Sequence, residues 1–188
     1  MKIYLVTTNQ KKLLTAQKVL SKYGVELEIL STEYEVPEIQ SFDVGLVAAF
    51  SAKYVANKEN KPIILTDTGY FIKALNGFPG PYIKQMNHYF STDDLLKLMV
   101  GKSDRSFVMQ ECLAFCMPGM ESITYTSVNN GTIAENAEGE GTTLDKVIIR
   151  KGQDKIQALY NLDEMIEYYS GCLDHYDQFG KYYVNSLK

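Results

Sequence analysis

Apolar and polar residues along this 188-residue chain switch between two periods, and the switches outline its elements. Residues 2–7 (KIYLVT) form the short apolar run of a buried strand. Leu13, Leu14, Ala16, Val19, Leu20 and Tyr23 then recur at helical spacing until Gly24 ends the pattern. Residues 25–30 predict a second strand. Leu46, Val47, Ala49, Phe50 and Val55 predict a helix over 44–55. KPIIL at 61–65 predicts a third strand, stopped by a polar turn at Thr66-Asp67-Thr68-Gly69. Alternation of this kind favours helices packed against a partly parallel sheet.

The middle of the chain changes character. NGFPGPY at 76–82 gathers Gly and Pro into a loop, and residues 93–100 follow as a short helix. Residues 106–117 and 122–128 are apolar or β-branched runs separated by Pro118-Gly119, which predicts an antiparallel hairpin in a second lobe. Residues 147–149 add a further strand. From Leu162 onward, Met165, Ile166, Tyr169, Phe179, Tyr182 and Tyr183 predict two closing helices. No internal repeat or low-complexity segment interrupts this order.

Composition narrows the function classes. Apolar residues at 45% and charged residues at 22% suit a compact chain with a core of its own, not a disordered or fibrous one. A net charge of −4 gives no global drive toward nucleic acid or an anionic membrane, so neither is an expected partner. No stretch approaches the roughly 20 apolar residues of a membrane span, and no leader with a cleavage site opens the chain, which reads as cytoplasmic. Three cysteines, an odd number, fit a reducing compartment. Cys112 and Cys116 flank Leu113-Ala114-Phe115 and read as same-face core positions of a strand, with metal binding as the competing reading.

Candidate chemistry falls at strand ends, where open α/β sheets place ligands. Thr7-Thr8-Asn9-Gln10-Lys11-Lys12 joins the first strand to the first helix, so helix N-terminal amides and Lys12 could hold a phosphate; the segment also reads as a solvated turn capped by Asn9. No Walker loop or dinucleotide fingerprint is present, since GEGTTL at 139–144 lacks the third glycine and does not follow the first strand. Glu38 in VPEIQ and Asp67 in LTDTG could serve together as hard oxygen ligands for Mg²⁺, or separately as a surface acid and a turn cap. Lys53 could add a cation to the same site, or simply line a solvated helix face.

Taken together, TxNxxK at 7–12, PEIQ at 37–40, FSAKYV at 50–55, LTDTG at 65–69 and NGFPGPYIK at 76–84 closely resemble the inosine triphosphatase, or Ham1-like, family of nucleoside triphosphate pyrophosphatases. LLKLMVG at 95–101 and the strand holding Glu111 to Phe115 also sit where the family has comparable segments. The resemblance implies an α/β fold with a mixed, strongly twisted sheet and flanking helices in two lobes around a central cleft, with residues 1–188 as one such domain. It further implies a homodimer that hydrolyses non-standard purine triphosphates (ITP, dITP, XTP) to the monophosphate and pyrophosphate with Mg²⁺. By resemblance, Thr7, Thr8, Asn9 and Lys12 hold phosphate oxygens. Glu38 and Asp67 organise the metal, and Asp67, or a metal-polarised water beside it, starts the attack. Thr68 and Lys53 complete the phosphate shell, and Lys84 lines the cleft.

The second half departs from the family pattern. Thr66-Asp67 stands where the family usually has two adjacent acids. The usual aromatic base-binding loop is matched by Gly141-Thr142-Thr143-Leu144-Asp145-Lys146, which keeps Asp145 and loses the stacking ring, a face worth about 1–3 kcal/mol in single-strand binders. The Ser-His-Arg element is matched by Asp174-His175-Tyr176, which keeps His175 and replaces a planar cation by a phenol. The phosphate half looks competent and the base half altered, so a catalytically impaired nucleotide-binding protein on the same fold is the alternative to an enzyme.

Overall fold

The computed structural model describes residues 2–186. Strand β1 (Lys2–Val6) leads into helix α1 (Gln10–Leu20), and a 3₁₀ turn over Ser21–Tyr23 ends at Gly24 with φ of 65°. That left-handed backbone is one a glycine adopts at no steric cost, which is why the helical pattern stops there. Strand β2 (Glu26–Ile29) and helix α2 (Val44–Glu59) follow, and α2 starts where Asp43 Oδ1 accepts from the Gly45 (2.7 Å) and Leu46 (3.2 Å) amides.

Strand β3 (Ile63–Ile72) corrects the sequence reading, because Thr66-Asp67-Thr68-Gly69 does not turn. The strand runs straight through these residues. Two β-branched threonines in register carry strand propensity that the polarity of the stretch masks. The glycine-rich loop then contributes β4 (Pro79–Gly80), antiparallel to β3, and an unforeseen helix α3 (Ile83–Tyr89) precedes α4 (Thr92–Leu98). Strands β5 (Ser106–Cys116), β6 (Ile123–Ile133) and β7 (Ile148–Arg150) and helices α5 (Leu162–Cys172) and α6 (His175–Ser186) complete the order.

Hydrogen-bonded neighbours run β2-β1-β3-β5-β6-β7. β1 pairs in parallel with β2 and β3, whereas β6 pairs antiparallel with β7, so the sheet is mixed and helices flank it. The chain divides into two compact units. Unit one comprises Met1–Asp67, Glu111–Ser127 and Ile166–Lys188; unit two comprises Thr68–Gln110 and Val128–Met165. The hairpin expected in a second lobe is therefore shared: its turn and the adjoining halves of β5 and β6 belong to unit one. The reason is the apolar end of β5, whose Leu113 and Phe115 join the unit-one core.

That core gathers Ile3 and Leu5 of β1, Ala16, Val19 and Leu20 of α1, and Tyr176, Phe179 and Tyr183 of α6. The α6 residues lie at i, i+3 and i+7, one helical face. Gly180 on that helix lets the Tyr23 ring approach so closely that a Cβ would lie 2.3 Å from it. The Tyr23 hydroxyl fixes the approach by donating to Asp177 Oδ1 at 2.8 Å. Cys112 and Cys116 are free, buried and four residues apart on β5, hence on one face, and burial pushes the Cys112 thiol up. Unit two packs Tyr70 against Phe107, with ring centroids 5.5 Å apart. None of the described helices is long and apolar enough to cross a membrane.

Candidate functional site

Strand register places the first group of residues in unit one. β1 ends at Val6 opposite Leu65, so Thr7, Thr8 and Asn9 emerge beside Thr66 and Asp67, the polar middle of β3. Asn9 caps α1: its Oδ1 accepts from the amides of Lys11 (3.0 Å) and Lys12 (3.3 Å), while Thr7 Oγ1 accepts from the Asn9 amide at 3.1 Å. The cap thus occupies two of the amides that a phosphate at this helix end would meet. Thr8 is exposed.

Lys12 is the centre of the group. Its ammonium donates to the Thr66 carbonyl at 3.2 Å and lies 3.6 Å from Glu111 Oε1. Glu111, on β5, is only 6% exposed. Asp67 is half-buried, and its Oδ2 is out of contact with solvent. The fold therefore brings Asn9, Lys12, Thr66 and Glu111 together, with Asp67 adjoining Thr66 in the strand.

Helix α6 closes this group from within the same unit. The Tyr176 hydroxyl donates to the Lys12 carbonyl at 3.4 Å, and burial, reinforced by the Glu111 charge, holds its phenol well above the ordinary range. His175 is fully buried. Its backbone N–H donates to Ser127 Oγ at 2.7 Å, and its Nδ1 lies 2.9 Å from the same oxygen. The Ser127 hydroxyl donates to Asp174 Oδ1 at 2.7 Å, a bond that holds the Asp174 carboxyl below its usual range. A hydroxyl has one proton to give, and an ionised carboxylate only accepts. Ser127 must then accept from Nδ1–H, and Nε2 is left with its lone pair. Nε2 is buried and has no hydrogen-bond partner among the described residues. Burial lowers the pKa of the ring and keeps it neutral.

Glu38 and Lys53 are the remaining expected residues of unit one. Glu38 is exposed in the connection between β2 and α2, next to Pro37, whose carbonyl accepts from Ser51 Oγ at 2.9 Å. Lys53 on α2 is half-buried, and its ammonium pairs with the exposed Glu121.

Unit two holds the other three expected residues. Thr68 is half-buried, and its Oγ1 has no hydrogen-bond partner among the described residues. Lys84 is exposed in the first turn of α3. Asp145 is half-buried; its Oδ2 accepts from the Thr142 amide (3.0 Å) and hydroxyl (2.8 Å), and its Oδ1 accepts from Gln157 Nε2. Gly141, at φ of 143°, permits this loop, since a Cβ there would lie 2.9 Å from Asp145 Cβ.

Among the described residues no group of three or more His, Cys, Asp or Glu side chains could hold a metal ion. The donors do fit Mg²⁺ in kind: the cation needs only one or two carboxylates when substrate phosphate and water complete its shell. Asp67, with a carboxylate oxygen sheltered from bulk solvent, is such a donor, and Glu38 is a second in the same unit.

Glu111, Ser127, Arg150 and Gln157 belong to these groups and were not among the residues expected from the sequence. Two of them carried a signal. Glu111 is a lone acid inside the apolar run FVMQECLAFC, and Arg150 directly follows the apolar run Val147-Ile148-Ile149. A charge in a buried strand needs partners, so each marks a built polar group.

Comparison with known proteins bears on these groups as a whole. Residues 3–166 match the model of the Ham1 family. A dITP/XTP pyrophosphatase of Methanopyrus kandleri is 34% identical over 188 residues, covering 100% of this chain and 98% of that protein. One of Methanosarcina mazei is 38% identical over 140 residues, covering 74% of this chain and 75% of the other. Among solved structures, a HAM1 protein from Coxiella burnetii superposes with a TM-score of 0.74 at 21% identity, covering 100% of this chain and 98% of that one. The Staphylococcus aureus Ham1 protein gives 0.74 at 20% identity, covering both chains fully.

Proposed function

Because this chain belongs to the Ham1 family, we propose that it is a nucleoside triphosphate pyrophosphohydrolase acting on non-standard purine triphosphates such as ITP, dITP and XTP. The products are the nucleoside monophosphate and pyrophosphate. The observation that carries the reading is the placement of the Lys12 ammonium at the carboxyl end of β1, held by the Thr66 carbonyl beside Asp67. This nearness of a cation to the strand that carries a carboxylate supports a site for a polyphosphate and its attacking water.

In this reading Thr7, Thr8, Asn9 and Lys12 receive phosphate oxygens, with Lys53, Thr68 and Lys84 as further contacts. Asp67 takes a proton from water, whose oxygen forms the new bond to the α-phosphorus as the bond to the pyrophosphate oxygen breaks. Lys12 offsets charge on the phosphates throughout. Asp67 and Glu38 would hold Mg²⁺, which supplies neutralisation of the polyphosphate charge when bound. Asp145 and His175 are assigned to the base, Asp145 through its ordered loop and His175 through the bare Nε2 lone pair, which takes an N–H donor.

Residues 1–188 act as one catalytic domain and the protein as a homodimer. A stripe of exposed apolar side chains along α2 supports the dimer: Leu46, Phe50 and Tyr54, spaced four apart and 56%, 41% and 38% exposed, with Phe42, just before the helix, 81% exposed. The odd number of cysteines, three, supports a reducing, cytoplasmic location, and no nucleic-acid or membrane partner is assigned. Pyrophosphate release from ITP, XTP, GTP and ATP with Mg²⁺ tests the activity. A protein that binds these nucleotides and releases none would be a binding protein instead.

A further inference from the structure

Arg150, the last residue of β7, is 2% exposed and carries a charge into the interior of unit two. Its Nε donates to Gln157 Oε1 at 2.6 Å, its Nη1 lies 2.8 Å from Met109 Sδ, and its Nη2 donates to the Tyr70 hydroxyl. Gln157, 4% exposed, turns its other end to Asp145, with Nε2 donating to Oδ1. The direction of this chain is forced. A guanidinium only donates and a carboxylate only accepts, so an amide between them must offer its oxygen to Arg150 and its nitrogen to Asp145. Reversing the amide would set donor against donor and acceptor against acceptor.

We propose that Arg150 is a positioning residue which, through Gln157, fixes the Asp145 carboxylate and with it the Gly141-to-Asp145 loop in the geometry that receives the purine base. The inference rests on the assignment of Asp145 to the base. It assigns the positioning of the base loop to a buried pair. Thr142 reports the result: its amide and hydroxyl both bond Asp145 Oδ2, so turning the carboxylate would release the loop. Such coupling makes the set behave as one unit.

The test compares wild type with Arg150→Met, which keeps length and removes the donors, and with Gln157→Glu, which still accepts from Arg150 but turns an anion on Asp145. Arg150→Lys is the conservative variant. Thermal melts confirm folding, and calorimetry reads the affinities of inosine monophosphate and of inorganic pyrophosphate separately. Removing a buried bond to a charged group should weaken inosine monophosphate by about tenfold or more in both variants, with pyrophosphate affinity unchanged and partial recovery in Arg150→Lys. In turnover the loss should appear in KM for ITP rather than in kcat. A purely structural role would instead lower the active fraction, reducing kcat for every substrate at constant KM, and would overturn the proposal. So would unchanged inosine monophosphate affinity in Gln157→Glu, or no such binding by wild type. If wild type binds inosine monophosphate, shows the variant pattern and releases no pyrophosphate, the enzymatic reading fails and the relay stands.

Discussion

The Lys12 ammonium stands 3.6 Å from the Glu111 carboxylate, so the cation assigned to substrate phosphate already faces an internal anion. Both groups are largely withdrawn from water, with side-chain exposures of 21% and 8%. Glu111 therefore does two things to Lys12: it holds the ammonium in place and offsets part of the charge that a phosphate would feel. Lys12→Ala should weaken triphosphate binding by about tenfold or more, a charged hydrogen bond being worth about 1.5–3 kcal/mol, and leave nucleoside binding unchanged. Glu111→Gln should act in the opposite sense and tighten triphosphate binding, most clearly at low ionic strength. Titrations with ITP and inosine at two salt concentrations check both; equal losses for the two ligands in Lys12→Ala would move Lys12 away from the phosphates.

Asp67→Asn should abolish most pyrophosphate release, by about 10²-fold or more, because an amide neither accepts the proton nor supplies an anionic ligand. Its melting temperature should stay near that of wild type, since the amide keeps the shape of the carboxylate within β3. Retained turnover in a folded Asp67→Asn protein excludes the assigned role.

His175 makes stability depend on pH in a definite direction. Its pKa is lowered in the folded protein by burial, from an unfolded value of about 6.5. Below that value the unfolded chain binds more protons than the folded one, so this stabilisation is complete above pH 6.5 or so and is lost as pH falls toward the folded pKa. The limiting slope is about 1.4 kcal/mol per pH unit for one group. His175→Asn, whose amide nitrogen can replace Nδ1 as donor to Ser127, should flatten this part of the acid limb. Urea unfolding of both proteins between pH 7.5 and 5.5 reads the difference; parallel curves would deny His175 its part.

Gly180→Ala should destabilise the protein by about 1–3 kcal/mol, the range for overpacking a closed core. The Tyr23 ring, held by Asp177, has to move to admit the new methyl group. In a chain of this size each kcal/mol lowers Tm by about 2–4 °C, which a thermal melt resolves. An unchanged melt would mean that the ring yields freely.

The parts legible in the sequence were those written in local pattern. The β1-α1 unit, α2, and the closing helices followed from apolar spacing and Gly24, because each depends on neighbours within a few residues. The polar middle of β3 was misread for the opposite reason: Thr66-Asp67 looks like a turn by composition, and its strand geometry belongs to a strand that lies between β1 and β5, partners distant in sequence. Asn9, Lys12 and Asp67 were legible through motif resemblance. Glu111 became part of the site only when Lys12 was seen beside it. The Arg150–Gln157–Asp145 chain was likewise illegible, since hydrogen-bond direction between distant side chains leaves no periodic trace. His175 was legible as a residue but not as a buried acceptor, a property conferred by Ser127 and Asp174.

The core of unit one has a consequence for synthesis. Ile3, Leu5, Ala16 and Val19 are made long before Tyr176, Phe179 and Tyr183, which share their core. Domains made in one continuous stretch can settle while the ribosome is still working. This one cannot: until α6 has left the exit tunnel, the apolar face of β1 and α1 stays open to solvent and to other nascent chains. Helix α6 is thus a late-arriving lid on β1 and α1, and ribosomes that stall shortly before it should release a chain with an unfinished, adhesive core.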